Sequence, residues 1–271
     1  MANKDRRDAL RGAEEETFDI IDQVLTSDKW AELLKAPLEH AAAKGNRGLA
    51  QKLVRAGAEI GDALHKAILG GHGDVVSDLL ENGASVSAKD TSCDGSTPLH
   101  IASKQGETEM VQLMKGADKD AMDNNKCTPL HLAAWCGHKA ITLALMAAGA
   151  DVTLRYGDFK RSVVHLAARG GHVDVLRAAI KRGADVDAVN IDQRIPLHDA
   201  ALCNRVGAMD VLLEAGANVD ARDDYGRTPL HFAVGQTNPE AVSALLSMVR
   251  TSTPKTSTNK HRCTGPHAWP D

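Results

Sequence analysis

A four-residue word recurs along this chain at nearly constant spacing, and this repetition limits the fold more than any other feature. The word is Thr-Pro-Leu-His in full copies at 97–100, 128–131 and 228–231, and degenerate copies end at residues 39, 65, 165 and 198. A second word, Gly-Ala followed usually by Asp or Asn, comes after most copies, as at 149–151 and 183–185. Two words repeating in phase predict an architecture of seven units, each packed only on its neighbours.

The residues of one unit predict a pair of helices. Thr97 can cap a helix through its hydroxyl, and Pro98 suits the first helical position, where no N–H group is needed. Gly137 and Gly171 are expected to end the first helix in a left-handed conformation, and Asn204 can do the same. A second helix with apolar residues at helical spacing follows. Neither helix can bury its apolar face alone, so stacked neighbours must supply the core.

The composition favours closely packed helices. Hydrophobic residues make up 43% of the chain but aromatic residues only 3%, so Ala, Leu, Val and Ile must build the core. The net charge of -4 excludes a strongly basic nucleic-acid-binding protein, although not a local basic patch. The charged N-terminus has no apolar run, and five Cys without a CxxC pair argue for reduced thiols. We expect a soluble intracellular protein, cytoplasmic or nuclear, with no membrane association.

The two words resemble those of the ankyrin repeat family, which has a period of about 33 residues and the word T-P-L-H-x-A. The resemblance covers residues 36–249 as seven units, of which the first and last are degenerate. It implies an all-α solenoid of stacked helix-turn-helix units with short turn or hairpin loops. It also implies that the histidine of each word bonds the Thr of that word and a neighbouring backbone carbonyl.

The two ends have their own patterns. Residues 1–35 include a stretch with helical periodicity from Glu15 onward, so we predict a capping helical region that covers the first unit. A helix start is expected at Ser27 or Asp28. Residues 250–271 are rich in Ser, Thr, Lys and Pro and have no apolar period, so we predict a disordered tail.

Three departures from the repeat carry further expectations. The segment 57–62 between units one and two is short, so one projecting loop should be missing. Unit three is two residues short at 112–116, so its second helix should lose about half a turn. Lys126, Lys160 and Gln193 stand where the turn usually has Gly. Those turns should be looser or less ideal, because a positive φ strains a residue that has a Cβ atom.

No residue pattern indicates an enzyme, a cofactor or a metal site. Six of the twelve histidines occupy the same position in successive units. Neighbouring helices pack about 8–10 Å apart, too far for two such histidines to share a zinc ion whose ligands lie about 2 Å away. No Walker loop, GxGxxG, HExxH or GxSxG motif is present. We therefore expect a non-catalytic protein without cofactors.

Binding is the function that remains. The resemblance implies that partners contact the turn tips and the exposed face of the first helices, on a concave surface. Nineteen such positions contain six basic residues and no acidic one. Trp and Arg are also residue types that anchor interfaces. The candidate partner-binding residues are Lys104, Trp135, Phe159, Arg161, Arg169, Ile191, Arg194, Leu202, Tyr225 and Arg227.

These residues predict a protein-interaction scaffold or adaptor that is monomeric and binds an acidic or phosphorylated protein segment in a basic groove with Trp135 near its middle. Several alternatives stay open. The chain could be a regulatory or substrate-recruiting subunit of an enzyme complex, such as a kinase or a ubiquitin ligase. Nucleic-acid binding is less favoured, because aromatic residues are too sparse for base stacking. A structural spacer, or a groove that is only a solvated face of chance composition, is also compatible with the sequence.

Overall fold

A computed structural model describes residues 28–91 and 94–252, which form a row of seven helix pairs. The first helix of each pair, called the inner helix, is α1 (Asp28–Ala43), α3 (Ala63–Leu69), α5 (Pro98–Gln105), α7 (Pro129–Cys136), α9 (Val163–Gly170), α11 (Pro196–Leu202) or α13 (Pro229–Gly235). The second, the outer helix, is α2 (Arg47–Arg55), α4 (Gly73–Glu81), α6 (Thr108–Leu113), α8 (Lys139–Ala147), α10 (Val173–Lys181), α12 (Val206–Glu214) or α14 (Pro239–Ser252).

Each inner helix contacts the next inner helix along the chain, and each outer helix contacts the next outer helix. Within the described ranges the only β pairing is an isolated bridge between Tyr156 and Arg161, in the turn before α9. The predicted all-α solenoid of stacked helix pairs is therefore confirmed.

Small residues allow the inner helices to approach closely. The alanine two positions after each word's histidine is fully buried in units three to seven, as Ala102, Ala133, Ala167, Ala200 and Ala233. Aliphatic side chains of the outer helices, such as Leu79, Leu145 and Leu212, are buried against them. The buried side chains form one continuous cluster along the row, so each unit completes the core of its neighbour.

The repeated word builds the start of an inner helix. In unit four the Thr128 backbone N–H donates to Nδ1 of His131 at 3.3 Å, and the His131 backbone N–H donates to Oγ1 of Thr128 at 3.4 Å. Pro129 takes the first helical position, and Gly137 follows the helix with a φ of +79°. Gly171 and Asn204 are also left-handed, with φ of +78° and +52°. The predicted start and stop residues are confirmed.

Unit one departs from the expected division. α1 runs without interruption from Asp28 to Ala43 and contains Pro37. The degenerate word at 36–39 therefore lies inside a helix, and the boundary drawn between residues 35 and 36 falls within α1. At the other end α14 continues to Ser252, past the expected start of the tail at residue 250. The helix expected from Glu15, up to residue 27, and the tail from residue 253 lie outside the described residues.

The two expected shortenings are confirmed. Residues 56–62 connect α2 directly to α3, whereas residues 182–195 form a projecting turn between α10 and α11. In unit three the outer helix α6 has 6 residues, compared with 9 in α8. The missing residues leave an open hollow of about 600 Å³ between α4 and α6 on the outer side.

The turns without glycine have the expected positive φ and slightly longer turn bonds. Lys126, Lys160 and Gln193 have φ of +58°, +52° and +57°. The backbone N–H of the residue at positive φ donates to the carbonyl three residues earlier over 3.0 Å at Lys126 and 3.2 Å at both Lys160 and Gln193, compared with 2.8 Å at Gly226. The turns without glycine are therefore slightly less ideal than the glycine turn, as expected, although they keep the left-handed conformation.

The word's histidine connects each unit to the turn that follows. In units three to six its Nδ1 accepts a backbone N–H three residues earlier, so the ring proton lies on Nε2, which donates to a carbonyl in the next turn. In unit two Nε2 of His65 bonds the next turn in the same way, but its Nδ1 has no hydrogen-bond partner among the described residues. The pairs are His65 with Ala88 (3.0 Å), His100 with Cys127 (2.8 Å), His131 with Leu154 (3.1 Å), His165 with Arg194 (2.9 Å) and His198 with Arg227 (3.0 Å). These contacts confirm what the family resemblance implied.

A second set of bonds connects each unit to the preceding inner helix. A side chain in each of units two to six donates to a carbonyl at the end of that helix. The pairs are His72 with Ala43 (3.2 Å), Gln105 with Leu69 (3.0 Å), His138 with Lys104 (3.0 Å), His172 with Trp135 (3.0 Å) and Arg205 with Arg169 (3.2 Å). Three of these donors are histidines, so His72, His138 and His172 have a structural role between units.

Replacing the word's histidine in unit four tests its contribution to stability. His131 is fully buried and bonded at both ring nitrogens, whereas His231 in the last unit is exposed. His131→Ala leaves a buried carbonyl and a buried N–H without partners and should lower the free energy of unfolding by about 2 kcal/mol. His231→Ala should lower it by less than about 0.5 kcal/mol. Urea unfolding of both variants measures the difference, and equal losses would contradict the role assigned to the ring.

Stability should also fall in mildly acidic solution. Burial lowers the pKa of His131 and of His165 to about 4, whereas an unfolded histidine titrates near about 6.5. Between these values the unfolded chain binds more protons, so the free energy of unfolding should drop as pH falls, by roughly 1.4 kcal/mol per pH unit for each histidine. Urea unfolding at pH 7 and pH 5 measures this. His131→Ala should flatten the dependence and His231→Ala should not.

Candidate functional site

The ten predicted partner-binding residues lie on the inner helices and turns of units three to seven, a surface called the inner face below. Three immediately precede the words that open inner helices: Arg161, Arg194 and Arg227. Four lie near the C-terminal ends of inner helices: Lys104, Trp135, Arg169 and Leu202. Three lie at turn tips: Phe159, Ile191 and Tyr225.

Four apolar or aromatic side chains of this set are open to solvent. Tyr225 is 76% exposed, Phe159 54%, Ile191 50% and Trp135 48%. Leu202 differs, because it is half-buried and packs against the core. Lys104 is exposed on α5 but lies two units before the arginine-rich turns. The structure therefore concentrates the accessible candidates in units four to seven.

Neighbouring turns support one another at the tips. The Ile191 backbone N–H donates to the Phe159 carbonyl at 3.0 Å, and the Asp224 N–H donates to the Asp192 carbonyl at 3.1 Å. The Arg161 guanidinium lies over the Phe159 ring at 5.0 Å, and that of Arg227 lies over Tyr225 at 4.8 Å. Both distances suit cation–π attraction. The exposed rings of Phe159 and Tyr225 therefore lie on turns whose backbones are hydrogen-bonded to neighbouring turns.

Two shallow cavities open on the inner face. One, of about 250 Å³, is lined by Trp135, Leu166, Arg169, Gly170, Cys203 and Arg205. The other, of about 280 Å³, is lined by residues 124–126 and 156–159 together with Arg161. Both are at or below the lower limit for pockets that hold drug-sized molecules, and they suit single side chains of a partner.

Arg194 and Arg227 are paired within the chain. Oδ2 of buried Asp223 lies 2.8 Å from Nη2 of Arg227 and 3.4 Å from Nε of Arg194. Burial raises the pKa of Asp223, but the hydrogen bonds from Arg227 and from the backbone N–H groups of Arg227 and Tyr225 outweigh it and hold that pKa at about 2. Both guanidinium groups also stack on Phe232, at 5.0 and 4.7 Å. Asp223 therefore neutralises much of the positive charge of Arg194 and Arg227, and Phe232 covers part of their guanidinium surface.

Arg161 and Arg169 are placed differently. Nε of Arg161 lies 3.9 Å from Oδ2 of Asp199, and Nη1 of Arg169 lies 3.9 Å from its Oδ1. Neither distance is a hydrogen bond, and both Asp199 oxygens and the Arg161 Nε are buried without a hydrogen-bond partner among the described residues. Burial raises the pKa of Asp199, and the two arginines oppose the rise. This is a loosely paired charged cluster in the middle of the inner face.

Asp199 and Asp223 are the functional candidates that sequence reasoning missed. The nineteen repeat positions predicted to face a partner include neither residue, because both carboxylates lie beneath that surface. One signal was available for Asp199, since the residue after each word's histidine is otherwise apolar in units three to seven, as Ile101, Leu132, Leu166 and Phe232. The inner face therefore carries less positive charge than the nineteen positions alone suggested.

The described residues contain little that could act as a reactive group. Among them no group of three His, Cys, Asp or Glu side chains is placed to hold a metal ion. Burial raises the pKa of the Cys127 thiol to about 12, so this sulfur is protonated and packs as a small apolar group. None of the helices in 28–91 and 94–252 is both long and apolar enough to cross a bilayer.

Known proteins with similar sequences share the repeats over short stretches. A 96-residue stretch, 33% of this chain and 8% of the other protein, is 38% identical to transient receptor potential cation channel subfamily A member 1 of Drosophila melanogaster. A 62-residue stretch, 22% of this chain, is 45% identical to the ARF GTPase-activating protein Git of the same organism, again over 8% of that protein. A Caenorhabditis elegans homolog of the channel is 33% identical over 126 residues, 43% of this chain and 10% of the channel.

Family models cover the repeats themselves. A model of three ankyrin repeat copies matches residues 38–123, 64–156 and 155–223, and a model of many copies matches residues 204–246. Together these matches run through more than half of the chain and coincide with the stacked helix pairs. This chain therefore belongs to the ankyrin repeat family.

Proposed function

We propose that this protein is a non-catalytic interaction scaffold or adaptor, and that a partner protein binds along the inner face of units four to seven. Ankyrin repeats generally mediate protein–protein interactions. The observation that carries the proposal is the row of exposed rings and aliphatic groups, Trp135, Phe159, Ile191 and Tyr225, on a backbone held by bonds between turns.

The energetics of this face favour association with a protein. Exposed apolar surface gains about 25 cal/mol for each Å² removed from water, and Trp, Tyr and Arg are the residue types that contribute most at interfaces. Because the Phe159 and Ile191 turns are already bonded to each other, binding orders little additional backbone. A partner with apolar side chains could fill the two shallow cavities while its backbone follows the turn tips.

The partner in this proposal contributes an acidic or phosphorylated segment. The support is the state of the four arginines, since Arg194 and Arg227 bond Asp223 whereas Arg161 and Arg169 have no close acceptor among the described residues. The anionic contact is therefore proposed for Arg161 and Arg169 rather than for the whole row. Guanidinium groups suit this task, because their fork matches carboxylate and phosphate oxygens.

A second candidate is a recruiting subunit of an enzyme complex. The observation that favours it is the similarity to the ARF GTPase-activating protein Git, which is confined to 62 residues. A repeat segment of this kind occurs there within an enzyme-regulating protein. On this reading the same inner face would bind the catalytic partner or its substrate, so both candidates depend on the same surface.

Truncating the exposed rings tests the inner face without altering charge. The double variant Trp135→Ala, Tyr225→Ala should lose at least 90% of the partner proteins retained by the wild type, because hot-spot rings of this kind cost about 2 kcal/mol or more when truncated. The matched control is Leu49→Ala, Leu143→Ala, which truncates two exposed apolar residues on outer helices α2 and α8. Quantitative mass spectrometry of proteins crosslinked in native cells measures retention. Equal retention by both double variants would refute the inner face as the binding surface.

A further inference from the structure

The Arg161–Asp199–Arg169 cluster is the part of the inner face whose bonding is incomplete. The Asp199 side chain is 1% exposed, and those of Arg161 and Arg169 are 18% and 37% exposed. A group arriving from solvent therefore meets the guanidinium groups before the carboxylate beneath them. We infer that Arg161 and Arg169 form a single anion site, for a carboxylate or phosphate group of a bound peptide, and that buried Asp199 restrains its affinity. This inference rests on the proposed function, because it names the chemistry of the partner at that surface.

The geometry brings the two arginines to one place. They approach the two oxygens of the same carboxyl group at 3.9 Å each, so one tetrahedral or planar anion can contact both guanidinium groups after small side-chain rotations. Each arginine also lies beside one of the shallow cavities, Arg169 with Trp135 and Arg161 with Phe159. An anionic side chain at the cluster would therefore have a shallow cavity on either side, with the Trp135 ring in one and the Phe159 ring in the other.

Asp199 limits the site through charge. A carboxylate this close to two arginines cancels about half of their charge, and it repels a second anion in a partly buried region where screening by water is weak. The other charged groups around it are Arg194 and Asp192, and Arg194 bonds Asp223 at 3.4 Å and lies 3.7 Å from Asp192. Asp199 therefore remains the counter-ion of Arg161 and Arg169 in the free protein.

The fold does not require a carboxylate at this position. Units four and five have Leu132 and Leu166 at the equivalent position, and Leu166 is fully buried. Asp199→Leu should therefore change the midpoint of urea unfolding little, because Asp199 makes no hydrogen bond and the side chains of Arg161 and Arg169 keep 18% and 37% exposure to water. The matched variant is Asp223→Leu, which removes a buried carboxylate bonded to Arg227 and to two backbone N–H groups and should lower the midpoint.

Peptide binding tests the restraint directly. The probes are three fluorescent peptide libraries of random sequence with a fixed central residue, which is phosphoserine, serine or lysine. Fluorescence anisotropy should show that the wild type prefers the phosphoserine library. Asp199→Asn, which keeps the size of the side chain, should tighten binding of that library about tenfold and leave the serine library unchanged. Arg161→Gln with Arg169→Gln should abolish the preference for phosphoserine in both backgrounds.

The outcomes separate this inference from the proposed function. Unchanged or weaker phosphoserine binding by Asp199→Asn would overturn the restraint. A preference for phosphoserine that survives loss of both arginines, or no preference in either the wild type or Asp199→Asn, would overturn the anion site. Binding of the lysine library that is lost in Asp199→Asn would show that the carboxylate receives a cation instead. Loss of the anion site would also remove the acidic or phosphorylated segment from the proposed partner, whereas the scaffold proposal itself is tested separately by the truncated rings Trp135 and Tyr225.

Discussion

The hydrogen bond from the word's histidine to the next turn is the interaction on which the rest of the molecule depends. A helix pair cannot bury its own apolar face, so its position must be fixed by a neighbour. The imidazole does this with both nitrogens, since Nδ1 of His131 closes the start of its own helix and Nε2 holds the carbonyl of Leu154. In unit six Ile195 replaces the Thr, yet its backbone N–H still donates to His198 at 3.2 Å. The ring bond therefore persists where the hydroxyl is lost.

The second set of bonds shows where sequence reasoning stopped. The word and its spacing were sufficient to predict the helix pairs, the left-handed residue Gly137, and the short α6. They could not show that Gln105 and Arg205 perform the task of His138, because three different side chains can each reach one carbonyl. They also placed a boundary between residues 35 and 36, which the structure puts inside the continuous helix α1.

Charge was harder to predict than fold, for a physical reason. The repeat period tells which residues occupy equivalent positions in successive units. An electrostatic site, however, depends on residues at several different positions, some exposed and some buried. Arg194 and Arg161 occupy the same repeat position, yet Arg194 bonds Asp223 whereas Arg161 has only a distant Asp199. The exposed positions alone therefore indicated a uniformly basic groove. The buried aspartates divide it into a neutralised part near Phe232 and a loosely paired part near Trp135.

Several irregular positions of the repeat lie in this loosely paired part. Unit five has Ser162 in place of the first Thr and Lys160 at the strained turn position, and unit six has Gln193 and Asp199. Strained backbone and buried charge both cost stability, and such costs concentrate where a surface is used for binding. The regular units on either side supply the bonds that hold these residues in place. A row of stacked repeats can thus carry two units whose charged side chains depart from the common pattern without loss of the fold.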